Sequence, residues 1–318
     1  MHPQMSRLSS RWILAAGVLL AACGNPDTTD EQTARQAEPA GAEAPSLAVY
    51  TVNYPLAYFA ERIGGDAVEV VFPAPPDTDP AFWSPDPESV AAFQSADLIL
   101  LNGAGYAGWT AKVSLPASKV VNTSGSFEDR YVVEEDAVVH THGPEGEHEH
   151  QNMAFTTWLD PTLALEHARA IRDALTEARP AGQAMFQAGF EALEADLLEL
   201  DRRLESAFAS LDGEPIMGSH PVYQYLVGRY GLNMRSVHFE PDEVPGTGAW
   251  RDLAELATRH PARVMLWEGA PRAETESRLM EDYGILSVVF DPAGNRPAEG
   301  DYLSVMRGNA ERMEALPY

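Results

Sequence analysis

Four of the nine histidines fall within eleven residues, as His140-Thr141-His142 and His148-Glu149-His150 on either side of Gly143-Pro144-Glu145-Gly146-Glu147. Neutral imidazole suits Zn2+, Cu2+ and Ni2+. In extended chain a His-x-His step puts both rings on one side, so each pair is a candidate two-donor site. The composition points to a metal-contacting loop; the plainer alternative is a solvated acidic loop that binds nothing. Further along, His238-Phe239-Glu240 and Trp267-Glu268-Gly269 each close an apolar run of strand type. Strand ends are where α/β proteins commonly place ligand contacts. His238, Glu240 and Glu268 are therefore read as pocket-lining residues rather than metal ligands. Phe82, Trp83 and Trp109 suit an apolar rim or simple packing, and His167 and His260, in or at the end of helical stretches, are given no role.

No catalytic constellation stands out. The chain has no nucleophile elbow, P-loop, dinucleotide fingerprint or His-Glu-x-x-His helix, and Gly103-Ala104-Gly105 lacks the rest of any phosphate motif. The expectation is a binding protein and not an enzyme.

Cys23 is the sole cysteine. Arg7 and Arg11 precede an apolar run over 12–20, and the run ends in Leu20-Ala21-Ala22-Cys23. This is a secretory signal too short to span a bilayer as a stable helix. The cysteine directly after two small residues looks like a bacterial lipobox, in which Cys23 is lipidated and becomes the mature N-terminus. The expected product is exported and anchored by lipid in the cell envelope, in the periplasm or on the outer face of the membrane. A lipidated Cys23 leaves no thiolate for a metal, so any transition-metal site uses His, carboxylate or water. Removing residues 1–22 takes away two arginines and no acid, moving the formal charge from -26 to -28. Such a chain cannot neutralise phosphates, which argues against nucleic acid; it favours cationic ligands only weakly.

Residues 24–45 are polar and rich in Ala, Pro and Glu, the composition of a flexible tether. Beyond them, short apolar runs at 47–52, 68–72, 97–101 and 120–121 alternate with helical patterns at 56–63 and 88–95. The rhythm returns with strands at 216–217, 234–238, 264–267 and 286–290 and helices at 222–230, 250–259 and 273–283. Strands separated by helices imply parallel sheets covered on both faces, hence two α/β lobes. Between them lie helical stretches at 161–178 and 181–208, parted by Arg179-Pro180. Phe186, Phe190, Leu193, Leu197, Leu200 and Leu204 recur at helical spacing in the second. A helix of that length spans about 40 Å and serves either as a strut between lobes or as a packed core helix. The expected division is signal 1–22, lipidated cysteine and tether 23–45, N-terminal lobe 46–160 with its histidine loop at 140–150, helical linker 161–210 and C-terminal lobe 211–318.

Several passages resemble the solute-binding proteins of bacterial zinc and manganese ABC importers. They are Asn53-Tyr54-Pro55-Leu56 with Ile63-Gly64-Gly65-Asp66, Ala96-Asp97-Leu98 through Asn102-Gly103, Trp158-Leu159-Asp160-Pro161, Ser219-His220 with Tyr230-Gly231-Leu232, and Phe290-Asp291-Pro292. The resemblance covers roughly residue 48 to the C-terminus. It implies two α/β lobes joined by one long rigid helix, a monomer, an ABC transporter permease as partner, and a divalent metal as cargo, Zn2+ first with Mn2+ or another transition metal open. It also implies metal ligands at His220 and Asp291. Two further family histidines would fall at Ala81, in Asp79-Pro80-Ala81, and at Thr156, two residues before Trp158. One imidazole and one carboxylate cannot complete a tetrahedral zinc site, so His140, His142, His148 and His150 are expected to substitute. The alternatives are a pocket turned to another ligand (a metal chelate or small organic molecule) and a surface adhesin or metal buffer.

Overall fold

Short, almost wholly apolar segments form the inner strands of two parallel sheets. β1 (Leu47–Thr51), β2 (Val68–Val71), β3 (Leu98–Leu101) and β4 (Val120–Asn122) make one sheet in the order β2-β1-β3-β4. β5 (Ile216–Gly218), β6 (Met234–Ser236), β7 (Val264–Trp267) and β8 (Leu286–Val289) make the other in the order β6-β5-β7-β8. Every pairing is parallel. Parallel neighbours need crossover connections, and α1 (Tyr54–Gly64), α2 (Pro87–Ser95), α5 (Gln224–Tyr230), α6 (Thr247–Arg259) and α7 (Ala273–Arg278) supply most of them. With both faces covered, β3 (Leu-Ile-Leu-Leu) and β7 (Val-Met-Leu-Trp) carry no polar residue. The structure is a computed structural model that describes residues 46–133 and 153–316. The signal, Cys23, the tether and the four loop histidines lie outside the described residues. Among the described residues no helix is long and apolar enough to cross a membrane.

α3 (Pro161–Ala178) and α4 (Gln183–Ala209) follow the first sheet, joined by the turn Pro180–Gly182. Asp160 starts α3 by accepting from the Thr162 amide at 2.8 Å, a side-chain cap on an otherwise orphan donor. The apolar stripe of α4 (Phe186, Phe190, Leu193, Leu197, Leu200, Leu204) is buried against α1, α3 and the C-terminal helix α8 (Tyr302–Glu314). At Gly189 a Cβ would stand 2.6 Å from the Ile63 carbonyl, so only glycine lets α4 lie this close to the end of α1. Asp196 on α4 pairs with Arg62 of α1 at 2.7 Å and with Arg307 of α8 at 3.1 Å. The long helix is thus both strut and core helix, touching an N-lobe helix and a C-lobe helix along one face.

Two elements depart from the sequence reading. α8 had no expected counterpart, yet Tyr302, Leu303, Met306, Ala310 and Met313 bury its inner face. The strand expected over 234–238 closes at Ser236, because its partner β5 has only three residues. Its ladder nevertheless runs on: Val237 N donates to Gly218 O at 3.0 Å and Phe239 N to Ser219 O at 2.7 Å.

The lobes meet through their strand-end loops. Asn102, after β3, holds the 155–159 segment on the N-lobe sheet by donating to Phe155 O at 2.9 Å. From that segment Trp158 Nε1 donates to Pro292 O at 2.7 Å, and Tyr302 OH donates back to Trp158 O at 2.9 Å. Tyr54 N reaches Gly294 O at 3.1 Å. Asn295 Nδ2 donates to both Pro75 O and Thr78 O, each at 2.8 Å.

Candidate metal centre

The order of each sheet reverses beside β1 and β5, and the crevice at such switch points opens at the C-terminal strand ends. On the C-lobe, His220 follows β5, His238 and Glu240 follow β6, Glu268 follows β7 and Asp291 follows β8. One histidine organises them. His220 Nε2 lies 3.6 Å from Glu240 Oε1, and its Nδ1 lies 3.6 Å from Glu268 Oε1. The His238 ring stands edge-on to it, with centroids 5.6 Å apart. Continued pairing after β6 explains the arrangement: Val237 and Phe239 turn into the core while His238 and Glu240 face out.

Burial pushes the Glu268 carboxyl up to about 8, and the charges of Asp79, Glu240 and Asp291, in that order, oppose its ionisation further. Among the described residues the charges acting on it are all carboxylates. Asp291 is also pushed upward by burial, against the Ala293 N–H it accepts at 2.7 Å and the charge of Arg312. Asn309 fixes its backbone from both sides, accepting from Asp291 N at 3.0 Å and donating to its carbonyl at 2.7 Å. Tyr223 lies beneath, its hydroxyl donating to Phe290 O at 2.9 Å, and burial with the charges of Glu268 and Asp291 keeps that phenol neutral. Two imidazoles ringed by carboxylates make a surface for a cation. The two carboxylates nearest His220 sit on opposite nitrogens of one ring, however, so they do not converge on a single point with it. Among the described residues no three His, Asp or Glu side chains are arranged to hold a metal ion. Asp79, His220, His238 and Glu240 each have partners beyond these contacts.

The fold agrees with that of known proteins. A family model described as "Zinc-uptake complex component A periplasmic" (ZnuA) matches residues 49–316. The chain belongs to the ZnuA family. The high-affinity zinc uptake system protein ZnuA of Bacillus subtilis is 26% identical over 317 residues, covering 95% of each chain. The manganese ABC transporter substrate-binding lipoprotein PsaA of Streptococcus pneumoniae is 26% identical over 278 residues, covering 84% of this chain and 87% of its own. Among solved structures, the metal-dependent lipoprotein YcdH of B. subtilis shares the fold with a TM-score of 0.72 at 21% identity, over 85% of this chain and 98% of that one. The Zn(II)-bound ZnuA-like domain of S. pneumoniae AdcA does so at 0.71 and 22%, with the same coverage.

Against this ZnuA-family frame the site residues read from sequence divide into three groups. His220, His238, Glu240 and Glu268 come together, and Asp291 is close enough to act on Glu268 and Tyr223. Ala81 and Thr156 are buried, and neither side chain offers the imidazole its position implies: the Thr156 hydroxyl instead donates to Val222 O in the C-lobe at 2.5 Å. Trp83 packs edge-on to Trp109, which packs in turn on Phe93 of α2, so these rings build N-lobe core. His140, His142, His148, His150 and Cys23 are outside the described residues.

Sequence reasoning missed a buried polar chain under the N-lobe side. Asn53 Nδ2 donates to Asn102 Oδ1 at 3.1 Å while Asn53 Oδ1 caps α1. Thr157 and Thr123 hydroxyls flank His167 at 2.8 Å from Nε2 and 2.6 Å from Nδ1. Thr123 already donates to Leu101 O, so His167 donates from Nδ1 and accepts from Thr157 at Nε2. Burial lowers the His167 pKa to about 3, and the ring stays neutral. The signal available in sequence was weak: a histidine on the apolar side of α3, about two turns beyond its cap.

Proposed function

We propose that this protein is the extracytoplasmic, lipid-anchored component that binds a divalent metal, Zn2+ first and Mn2+ second, and presents it to an ABC permease. It acts as a monomeric carrier and not as an enzyme. The observation that carries the reading is His220 held between Glu240 and Glu268 at the strand ends facing the other lobe, in a chain of the ZnuA family. The relatives named for zinc or manganese transport, several of them lipoproteins, support the cargo and the anchor on Cys23. His220 and Asp291 are the family-position donors, with Glu240, Glu268 and His238 lining the pocket beside Ala81 and Thr156. Zinc prefers four donors, and His140, His142, His148 and His150 are proposed to complete its shell. Replacing all four by alanine should weaken zinc binding at least about tenfold; unchanged affinity, read by competition with a chromophoric chelator, refutes their part. A second reading, a pocket turned to another ligand, rests on the interlobe hydrogen bond of Thr156 and the buried Ala81 methyl. It gains if the metal-stripped protein competes with no chelator for Zn2+ or Mn2+.

A further inference from the structure

One short N-lobe segment touches both loops that carry the family-position donors. Residues 154–158 send groups to opposite sides. Toward the N-lobe, Phe155 O accepts from Asn102 Nδ2 at 2.9 Å, and the Thr157 hydroxyl donates to His167 Nε2 at 2.8 Å. Toward the C-lobe, Ala154 O accepts from Tyr225 OH at 3.0 Å, the Thr156 hydroxyl donates to Val222 O at 2.5 Å, and Trp158 Nε1 donates to Pro292 O at 2.7 Å. The last two acceptors sit just behind the donors. Val222 N donates to His220 O at 3.0 Å, so Val222 closes the tight turn that carries His220. Pro292 directly follows Asp291, whose carboxylate accepts from Ala293 N at 2.7 Å. The segment itself is buried: Thr156, Thr157 and Trp158 are 5%, 0% and 2% exposed. Tyr106 meets both Phe155 and Trp158 edge-on, at 5.3 and 5.6 Å between centroids. A fixed N-lobe bar thus grips the chain behind each donor, through bonds between protein atoms alone.

We propose that Thr156 and Trp158 are positioning residues for the metal, fixing the spacing of the His220 and Asp291 loops before cargo arrives. The inference rests on the metal-binding reading above and gives a new role to position 156, where the family resemblance implies an imidazole. The hydroxyl there holds a donor's loop instead of supplying a donor. Both residues act on the metal through the loops they hold, as the outer partners of metal ligands do. Donors already in place lose less freedom on binding, so these bonds set affinity and geometry as well as folding stability.

The test is Thr156→Val and Trp158→Phe in the full chain, stripped of metal and titrated with Zn2+ and with Mn2+ against a chromophoric chelator. The first keeps the side chain's shape, the second keeps an aromatic ring, and each removes one hydrogen-bond donor. Losing one such bond leaves a protein of ordinary stability folded, which circular dichroism checks; if Trp158→Phe does not fold, the substitutions at Thr156 decide. Affinity should fall about tenfold in each variant, and Thr156→Ser, which keeps the hydroxyl, should retain most of it. With Co2+ in place of Zn2+, the visible absorption bands report donor geometry. They should be displaced in Thr156→Val and Trp158→Phe and parent-like in Thr156→Ser. If the parent binds metal and either folded variant matches its affinity and its Co2+ bands, that residue only supports the fold; the proposal fails and the metal-binding reading stands. Equal losses in Thr156→Ser and Thr156→Val would show that packing, and no bond to Val222, sets the site, which also overturns the proposal. If the parent itself binds neither Zn2+ nor Mn2+, the functional reading fails and this inference fails with it.

Discussion

Glu268→Gln should change how the metal-free protein responds to pH. The folded carboxyl sits at about 8 against an ordinary 4.5. Between those values the unfolded chain has lost the proton that the folded protein keeps, so stability falls as pH rises through that window. It is flat below about 4.5 and above about 8 with respect to this group. A shift of this size corresponds to a ceiling of about 5 kcal/mol. The side chain is still 28% exposed, and solvent screening brings the expected effect to about 2–3 kcal/mol. Glutamine occupies the same volume and never ionises, so the variant should lack this fall. Urea unfolding with a chelator present, at half-unit steps from pH 4.5 to 8.5, reads both curves. They should nearly coincide at pH 4.5, and the variant should be the more stable at pH 8 by the stated margin. Parallel curves across the range would show that Glu268 is not held as a neutral acid, and the description of the site as a crowded carboxylate cluster would be wrong.

Two further outcomes follow from the same structure. Thr156→Val keeps the shape but strips Val222 O of its donor across the interface; a loss of about 1–3 kcal/mol is expected in denaturant unfolding. Burial lowers the His167 pKa to about 3 in the fold, against about 6.5 when unfolded. Stability should therefore drop as pH falls from about 6.5 toward 3, and His167→Gln should flatten that acid limb in circular-dichroism titrations.

Much of the architecture was legible because it rests on local pattern. Leu98–Leu101 and Val264–Trp267 are apolar throughout, as strands buried on both faces must be, and the stripe of α4 repeats at helical spacing over its whole length. α8 escaped notice because its apolar positions include Tyr302, Ala310 and Met313 among polar neighbours, and their meaning comes from α4 and β8 packed against them. At the site, the separate candidates His220, His238, Glu240 and Glu268 were visible as residue types at strand ends. Their meeting around one imidazole depends on the strand order β6-β5-β7, which no local window contains. Thr156 was legible as an oddity, but its bond to Val222 was not.

The central claim is that the strand-end cluster around His220 takes up a divalent metal. A chelator-competition titration of the metal-stripped full chain with Zn2+, run beside His220→Ala, measures it directly. One tight zinc per chain, weakened at least about tenfold by the substitution, is the expected result. No competition for zinc, or a tight site indifferent to His220→Ala, would place the cargo or the site elsewhere.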